Sequence, residues 1–196
     1  KGKKSFFSYE AYGFATLIDN LIAGMPTGNS NEYKYENIIE AGLYGGEVKV
    51  IFDFRKLFWK IGLKLTESAA YVYGEDRNEN VALPNIPPFV NNTSVRIYSE
   101  PFSFVKSVFG EFALTHNAEQ NRINPALNTG SEEEKETPSY TVFNTSIGFR
   151  TKDYAGFSTG LIFGIDNLTD KTYRNHLSPN DEMGRNVKIG INLNNN

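Results

Sequence analysis

The sequence of 196 residues contains no cysteine, and its charged residues leave a net charge of −3 instead of a positive excess. A chain without cysteine cannot form a disulfide framework or a cysteine-ligated metal site. A pI of about 5.5 also differs from the basic surfaces by which proteins typically bind nucleic acid. We therefore expect no disulfide-based fold and no nucleic-acid partner.

Long apolar runs are missing as well. No segment approaches the roughly 18–20 consecutive apolar residues of a membrane-spanning helix, and the mean hydropathy of −0.43 argues against a helical membrane protein. A transmembrane β-barrel stays open, because its strands alternate apolar and polar residues and score weakly on hydropathy. The chain begins without the apolar core of a signal peptide, so an exported protein would be a mature chain or an internal piece.

Enzyme signatures are absent too. The sequence has no Gly-rich phosphate loop, no HExxH and no GxSxG motif. The two histidines, His116 and His176, lie far apart in sequence. We therefore predict no catalytic residue, no cofactor and no metal site. His116 is the one residue we name as a candidate contact for a metal-bearing ligand. The alternative interpretation of His116 is a structural one, a hydrogen-bonded histidine at the end of a strand.

Period-2 alternation is what the sequence does contain, and it predicts β-strands throughout. In residues 46–54, Val48, Val50 and Phe52 oppose Glu47 and Lys49. Residues 186–193 alternate strictly over eight positions. The pattern predicts an all-β, antiparallel, up-and-down fold of about eight strands. Their predicted ranges are 5–19, 34–54, 57–73, 89–99, 105–116, 140–150, 155–167 and 185–193.

The connections between these strands alternate strictly between short and long. The short ones are Arg55-Lys56, 100–104 and 151–154, and the long ones are 20–33, 74–88, 117–139 and 168–184. Outer-membrane barrels have short turns at the periplasmic end and long loops at the extracellular end. Aromatic residues, 14% of the chain, gather near both ends of the predicted strands, as expected of two interfacial girdles. The pattern therefore favours a transmembrane β-barrel.

Five motifs, in this order, resemble the TonB-dependent outer-membrane receptors. Residues 44–48 (YGGEV) resemble a "YGxE" strand start, and 83–88 (LPNIPP) resemble the "LPxIPP" lead into a descending strand. Residues 164–173 (GIDNLTDKTY) resemble the "NLFDxxY" end of the penultimate strand, followed at 175–178 by NHLS. Residues 184–187 (GRNV) resemble the "GRN" that precedes the last strand. The resemblance covers most of the chain, but the sequence ends LNNN where family barrels usually end in an aromatic residue.

The resemblance implies that residues 1–196 are the C-terminal segment of a 22-stranded barrel with a plug, the plug itself being absent. It implies a bacterial outer-membrane location and energised uptake of a scarce nutrient, most commonly a ferric siderophore or haem. The implied partners are outer-membrane lipid, the iron chelate or a similar small molecule, and the TonB complex, contacted through the missing N-terminal part. No covalent chemistry is required.

Two other folds remain open from the residues alone. One is a self-contained eight-stranded outer-membrane barrel of structural or adhesin type, since eight strands can close around their own side chains. The other is a soluble, lipocalin-like ligand carrier, in which the apolar face would point inward. Alternation does not distinguish the two faces of the sheet.

The expected barrel assigns roles to both the wall and the loops. Seven apolar residues should face lipid: Val48, Val50, Phe52, Ile61, Leu63, Ile189 and Ile191. Loop 117–139 should capture the ligand, and its charge run at 132–136 should be a solvated loop tip.

Overall fold

The computed structural model describes residues 5–26, 33–124 and 134–195, which form β-strands, turns and loops. The strands are β1 (Ser5–Pro26), β2 (Tyr33–Phe58), β3 (Ile61–Asp76), β4 (Val81–Ala82), β5 (Val90–Ser99), β6 (Val105–Asn117), β7 (Tyr140–Thr151), β8 (Phe157–Asp166) and β9 (Asn186–Asn195). Within these ranges no helix is long and apolar enough to span a membrane. The prediction of an all-β fold is confirmed.

All the strands belong to one antiparallel sheet, in the order β1-β2-β3-β5-β6-β7-β8-β9, with the short β4 paired to β3. Apart from β4, each strand therefore pairs with its neighbours in sequence, which confirms the up-and-down topology. These eight strands contain 10 to 26 residues. A tilted strand needs only about 9–11 residues to cross a bilayer.

The sheet is open, because β1 and β9 do not pair with each other in the described part of the chain. A self-contained eight-stranded barrel, whether in a membrane or of lipocalin type, requires that pairing to close. Neither of these two alternatives matches the observed topology. The fold is that of a partial barrel with two unpaired edges.

The hydrogen-bond register places apolar residues opposite one another across the whole sheet. One row of cross-strand partners runs through Ser5, Phe54, Leu63, Ile97, Gly110, Ile147, Phe163 and Ile189. Ile97 and Ile147 are each 56% exposed, so this face has no protein cover. An exposed apolar patch of this extent marks a surface that contacts a partner or a membrane. The seven residues predicted to share a face do lie on this one.

The adjacent row lies on the opposite face and is largely polar. It runs through Phe6, Asp53, Lys64, Arg96, Glu111, Ser146, Gly164 and Lys188. Arg96 and Glu111 form an ion pair at 2.6 Å, and the Arg96 guanidinium lies 4.3 Å from the centre of the Phe109 ring. The Phe109 ring covers Gly148 so closely that a Cβ there would collide with it. Paired charges and rings laid over glycines therefore line the polar face.

The turn between β2 and β3 lies four residues beyond its predicted position. Arg55-Lys56 belongs to a bulge, where the register shifts between Phe54 and Phe58, and the turn itself is Trp59-Lys60. The bulge accommodates the two polar residues because Arg55 pairs with Asp53 at 3.4 Å and Lys56 pairs with Glu100 at 3.5 Å. The predicted position is wrong because the two polar residues, which the sequence pattern assigned to a turn, lie in a bulge before the end of β2.

The predicted bounds of the first long connection are also wrong. Residues 20–26 and 33, predicted as loop, are strand residues of β1 and β2, and residues 27–32 lie outside the described residues. Asn20 has a positive φ of 59°, a conformation that asparagine tolerates better than most residues. A local turn signal at this position did not end the strand, because pairing continues on both sides of it.

We predict that a charge in the apolar row destabilises the membrane-inserted protein. Ile147→Arg should lower the free energy of unfolding by about 2–4 kcal/mol if the residue lies near the bilayer midplane. Urea titration of the intact receptor in lipid vesicles measures the change. Ser146→Arg is the matched control, because it adds the same charge one residue away on the polar face, beside Glu111. Equal destabilisation by the two variants would contradict the assignment of the faces.

Candidate functional site

A pocket lies on the polar face at the end of the sheet that carries the long connections. Its wall comes from the ends of β5 to β9, and its roof comes from the connection between β8 and β9. We call it the mouth pocket. It is lined by Val90, Thr115, Asn117, Tyr140, Val142, Asn144, Asp166, Asn167, Tyr173, Asn175, Glu182, Met183, Gly184 and Asn186.

Asn167 ends β8 and fixes the start of the roof. Its side-chain oxygen accepts from the Lys171 backbone N–H at 2.8 Å, and its amide donates to the Lys171 carbonyl at 2.8 Å and to the Met183 carbonyl at 3.4 Å. Its own N–H donates to Oδ1 of Asn144 at 2.9 Å. The residue is 2% exposed and has a positive φ of 50°. Asparagine suits this position because its short amide can cap nearby backbone groups in such a conformation.

Asp170 and Gly184 close the other end of the roof. The Asp170 carboxylate accepts from the Arg185 N–H at 2.7 Å, and a Cβ on Gly184 would lie 2.8 Å from the same Oδ1. The Arg185 guanidinium donates to the Leu168 carbonyl at 3.1 Å. The two motifs at 164–173 and 184–187 therefore bind each other. Their role is to shape the roof of the mouth pocket.

Two tyrosine rings in contact, Tyr140 of the wall and Tyr173 of the roof, join the two parts of the mouth pocket. The rings of Tyr140 and Tyr173 lie 4.5 Å apart between centroids. The Tyr140 hydroxyl donates to Oδ1 of Asn175, whose amide donates to the Glu182 carboxylate at 2.7 Å. Burial, followed by Glu182 and Asp166, raises the pKa of Tyr173. Its hydroxyl is therefore uncharged at neutral pH and can both donate and accept a hydrogen bond.

Three amide side chains of the wall keep free hydrogen-bonding groups. Asn117 and Asn186 make no side-chain hydrogen bond to the described residues, and Asn144 uses only its oxygen. All three are half-buried. Half-buried amides without protein partners are suited to bind a ligand or water.

His176 connects the roof to the connection between β6 and β7. Its side chain is 4% exposed, with Nε2 at 3.0 Å from Glu134 and Nδ1 at 3.0 Å from Thr137. The Glu134 side chain is 8% exposed, so the prediction that the charge run is solvated is wrong for this residue. Residues 132 and 133 of that run lie outside the described residues. No local sequence pattern predicts this contact, because the two residues are 42 positions apart.

Other long connections also fold over the polar face. Leu83 and Ala41 are buried together at 5% and 1% exposure, with Ile86 packed against them. Gln120 is fully buried and donates to the Ile86 carbonyl. The parts of 117–139 nearest the strands are therefore anchored, and residues 125–133 of this predicted capture loop lie outside the described residues.

His116 lies on the opposite face from the mouth pocket. The register pairs it with Asn91 and Thr141, and its Nδ1 lies 2.9 Å from the Thr141 hydroxyl. It is therefore not brought together with the pocket residues, and a role in ligand contact stays a prediction. No group of three or more His, Cys, Asp or Glu that could hold a metal ion occurs among the residues that the structure describes.

Long antiparallel strands, one bare apolar face and loops folded over the polar face define an outer-membrane barrel wall. The sequence profile of the TonB-dependent receptor-like β-barrel matches residues 2–168, and the chain belongs to this family. The protein therefore lies in the bacterial outer membrane, with its apolar face toward lipid and its polar face toward the lumen.

Among solved structures, the chain is similar to the copper transporter OprC. The two are 22% identical, with a TM-score of 0.73, over 99% of this chain and 29% of the OprC chain. The likeness supports the barrel fold, and this chain spans less than a third of that relative's length. No curated protein sequence matches the chain.

We predict that Asn167→Ala loosens the roof of the mouth pocket. The substitution removes three side-chain hydrogen bonds and leaves alanine at a positive φ, a local cost on the order of 1–3 kcal/mol. Limited proteolysis of the folded receptor should show faster cleavage within 168–185. Asn180→Ala, an exposed amide in the same roof, is the control and should leave the cleavage rate unchanged. Equal protection of both variants would contradict the role given to Asn167.

Proposed function

We propose that the intact protein imports a scarce nutrient across the outer membrane with energy from the TonB complex, and that the nutrient is a ferric siderophore or haem. Family membership supports TonB-dependent transport as the general activity. The mouth pocket is the observation that carries the proposal, because it places free amides and a phenol on the lumen face near the extracellular loops.

The chemistry of the pocket suits an organic ligand. Amide and hydroxyl groups bind the outer shell of a chelate by hydrogen bonds, and the Tyr173 ring, which packs at a tilt against the buried Tyr140 ring, offers an apolar surface for the rest of it. A rigid sheet holds the wall, and the Asn167 and Asp170 contacts hold the roof. Binding sites formed by loops on a rigid scaffold are a general feature of receptors.

We propose that this chain is the C-terminal part of a 22-stranded barrel whose plug and TonB-contacting segment lie in another part of the polypeptide. The two unpaired edges, β1 and β9, support it, because exposed strand edges of this length require neighbouring strands. Binding and transport would require no covalent chemistry from the protein, so we propose that it is not an enzyme.

Uptake by intact cells tests the proposal. Cells whose only receptor is this protein should accumulate labelled ferric siderophore or haem, and deletion of tonB should abolish the accumulation. Uptake of copper is measured in parallel, because the similar solved structure is named a copper transporter. Uptake that persists without TonB would contradict the proposed mechanism, and uptake of copper alone would contradict the proposed substrate.

We predict that Tyr173→Ala raises the substrate concentration needed for half-maximal uptake about tenfold, because a ring contact and a hydrogen bond worth roughly 1.4 kcal/mol together are lost. Tyr154→Ala is the matched control. Tyr154 is 86% exposed at the opposite end of the strands, in the short connection between β7 and β8. Equal effects of the two substitutions, at equal amounts of receptor in the outer membrane, would contradict a role for the mouth pocket in binding.

A further inference from the structure

The charged residues that line the mouth pocket, Asp166 and Glu182, are acidic. Asp166 is paired with Lys188, at 2.5 Å between Oδ2 and Nζ. Glu182 accepts from the Asn175 amide at 2.7 Å and has no cationic partner among the described residues. The Arg185 guanidinium donates to a backbone carbonyl and is not one of the pocket-lining residues. Among the described residues, no uncompensated positive charge lines the pocket, and one carboxylate without a cationic partner, that of Glu182, does.

The groups available to a ligand are neutral. The free amides of Asn117 and Asn186 each offer two donors and an acceptor, and the Asn144 amide offers two donors. The Tyr173 hydroxyl, beside the Glu182 carboxylate, adds one donor or acceptor. A ligand that carried several negative charges would meet Glu182 without gaining a cation. A ligand with hydroxyl and carbonyl groups would find a partner for each of them.

We propose that the mouth pocket selects a ligand whose outer surface is uncharged and rich in hydroxyl and amide groups. This inference rests on the proposed TonB-dependent import, and among the proposed ferric substrates it favours a neutral chelate over haem. Two sources share the required chemistry: a neutral ferric chelate of the hydroxamate type, which agrees with the proposed substrate, and a neutral oligosaccharide, which would replace it. Anionic chelates and haem, with its carboxylates, are disfavoured because an acidic site repels them and offers no charged hydrogen-bond donor in return.

Glu182 is the residue that decides between uncharged and anionic ligands. Glu182→Gln removes the negative charge and keeps an oxygen that can accept from Asn175. The variant should therefore hold the roof in place and bind anionic ligands more tightly, with little effect on neutral ones. Glu79→Gln, an exposed position in the connection between β3 and β4, is the matched control for loss of one carboxylate.

Direct binding to the purified intact receptor in detergent micelles is the test. The probes are ferrichrome as the neutral hydroxamate chelate, maltohexaose as the neutral oligosaccharide, and ferric enterobactin and haemin as the anionic ligands. We expect ferrichrome or maltohexaose to bind, which tells the two sources apart. For the ligand that binds, Asn117→Ala and Asn186→Ala should each weaken binding about fivefold to tenfold, the loss of one or two hydrogen bonds. Glu182→Gln should raise the affinity for ferric enterobactin relative to the neutral ligand at least threefold, and Glu79→Gln should not.

The inference is overturned if an anionic probe binds the unmodified receptor and both neutral probes fail, or if none of the four binds. It is equally overturned if Glu182→Gln leaves the ratio of anionic to neutral affinity unchanged. Binding to purified protein needs no energy source, whereas uptake by cells does. A receptor that binds a neutral probe but imports nothing in a TonB-dependent way contradicts the proposed function and supports the inference. A receptor that imports only anionic ligands, and does so in a TonB-dependent way, supports the proposed function and contradicts the inference.

Discussion

The antiparallel hydrogen-bond register is the constraint on which the other features of this chain depend. Because side chains alternate between the faces of a strand, a slip of one residue between any two strands would move a whole set of apolar residues to the polar face. The register instead keeps one apolar row continuous from Phe54 through Ile97 and Ile147 to Ile189. That row makes the outer surface suitable for lipid. The same register collects charged and amide side chains on the lumen face, where water is available.

The mouth pocket follows from this arrangement at the ends of the strands. Beyond the membrane, the strands no longer need an apolar face, and loops can fold back over the polar one. Asn167 and Asp170 hold the roof by hydrogen bonds to backbone groups, and Gly184 leaves room for the Asp170 carboxylate. His176 and Glu134 join two loops that are distant in sequence. The roof is thus held by hydrogen bonds from side chains to backbone groups and by side-chain pairs between loops, none of which uses the wall amides of Asn117 and Asn186.

Much of the fold could be predicted from the sequence, because strand alternation is a local property. The predicted ranges of the fifth to seventh strands agree with β6, β7 and β8 to within a few residues at each end. The ends of the first two strands differ from their predicted positions. The pair Arg55-Lys56 has the composition of a turn but lies in a bulge, where the two side chains pair with Asp53 and Glu100. Among the amides of the pocket wall, Asn117 lies at the start of the predicted capture loop 117–139, whereas the sequence analysis does not predict a binding role for Asn144 or Asn186.

The sequence by itself determined the class of the protein. Alternation, loop lengths and the motifs at 164–173 and 184–187 were enough to predict an antiparallel barrel wall and its family, since each depends on residues close together in the chain. Only the tertiary structure decided which side chains share a pocket and which face they occupy. It set Asn117, Asn144 and Asn186 together on the lumen face and His116 on the other. The physical reason is that a binding site joins the ends of several strands, and the distances between those ends are fixed by register and loop packing.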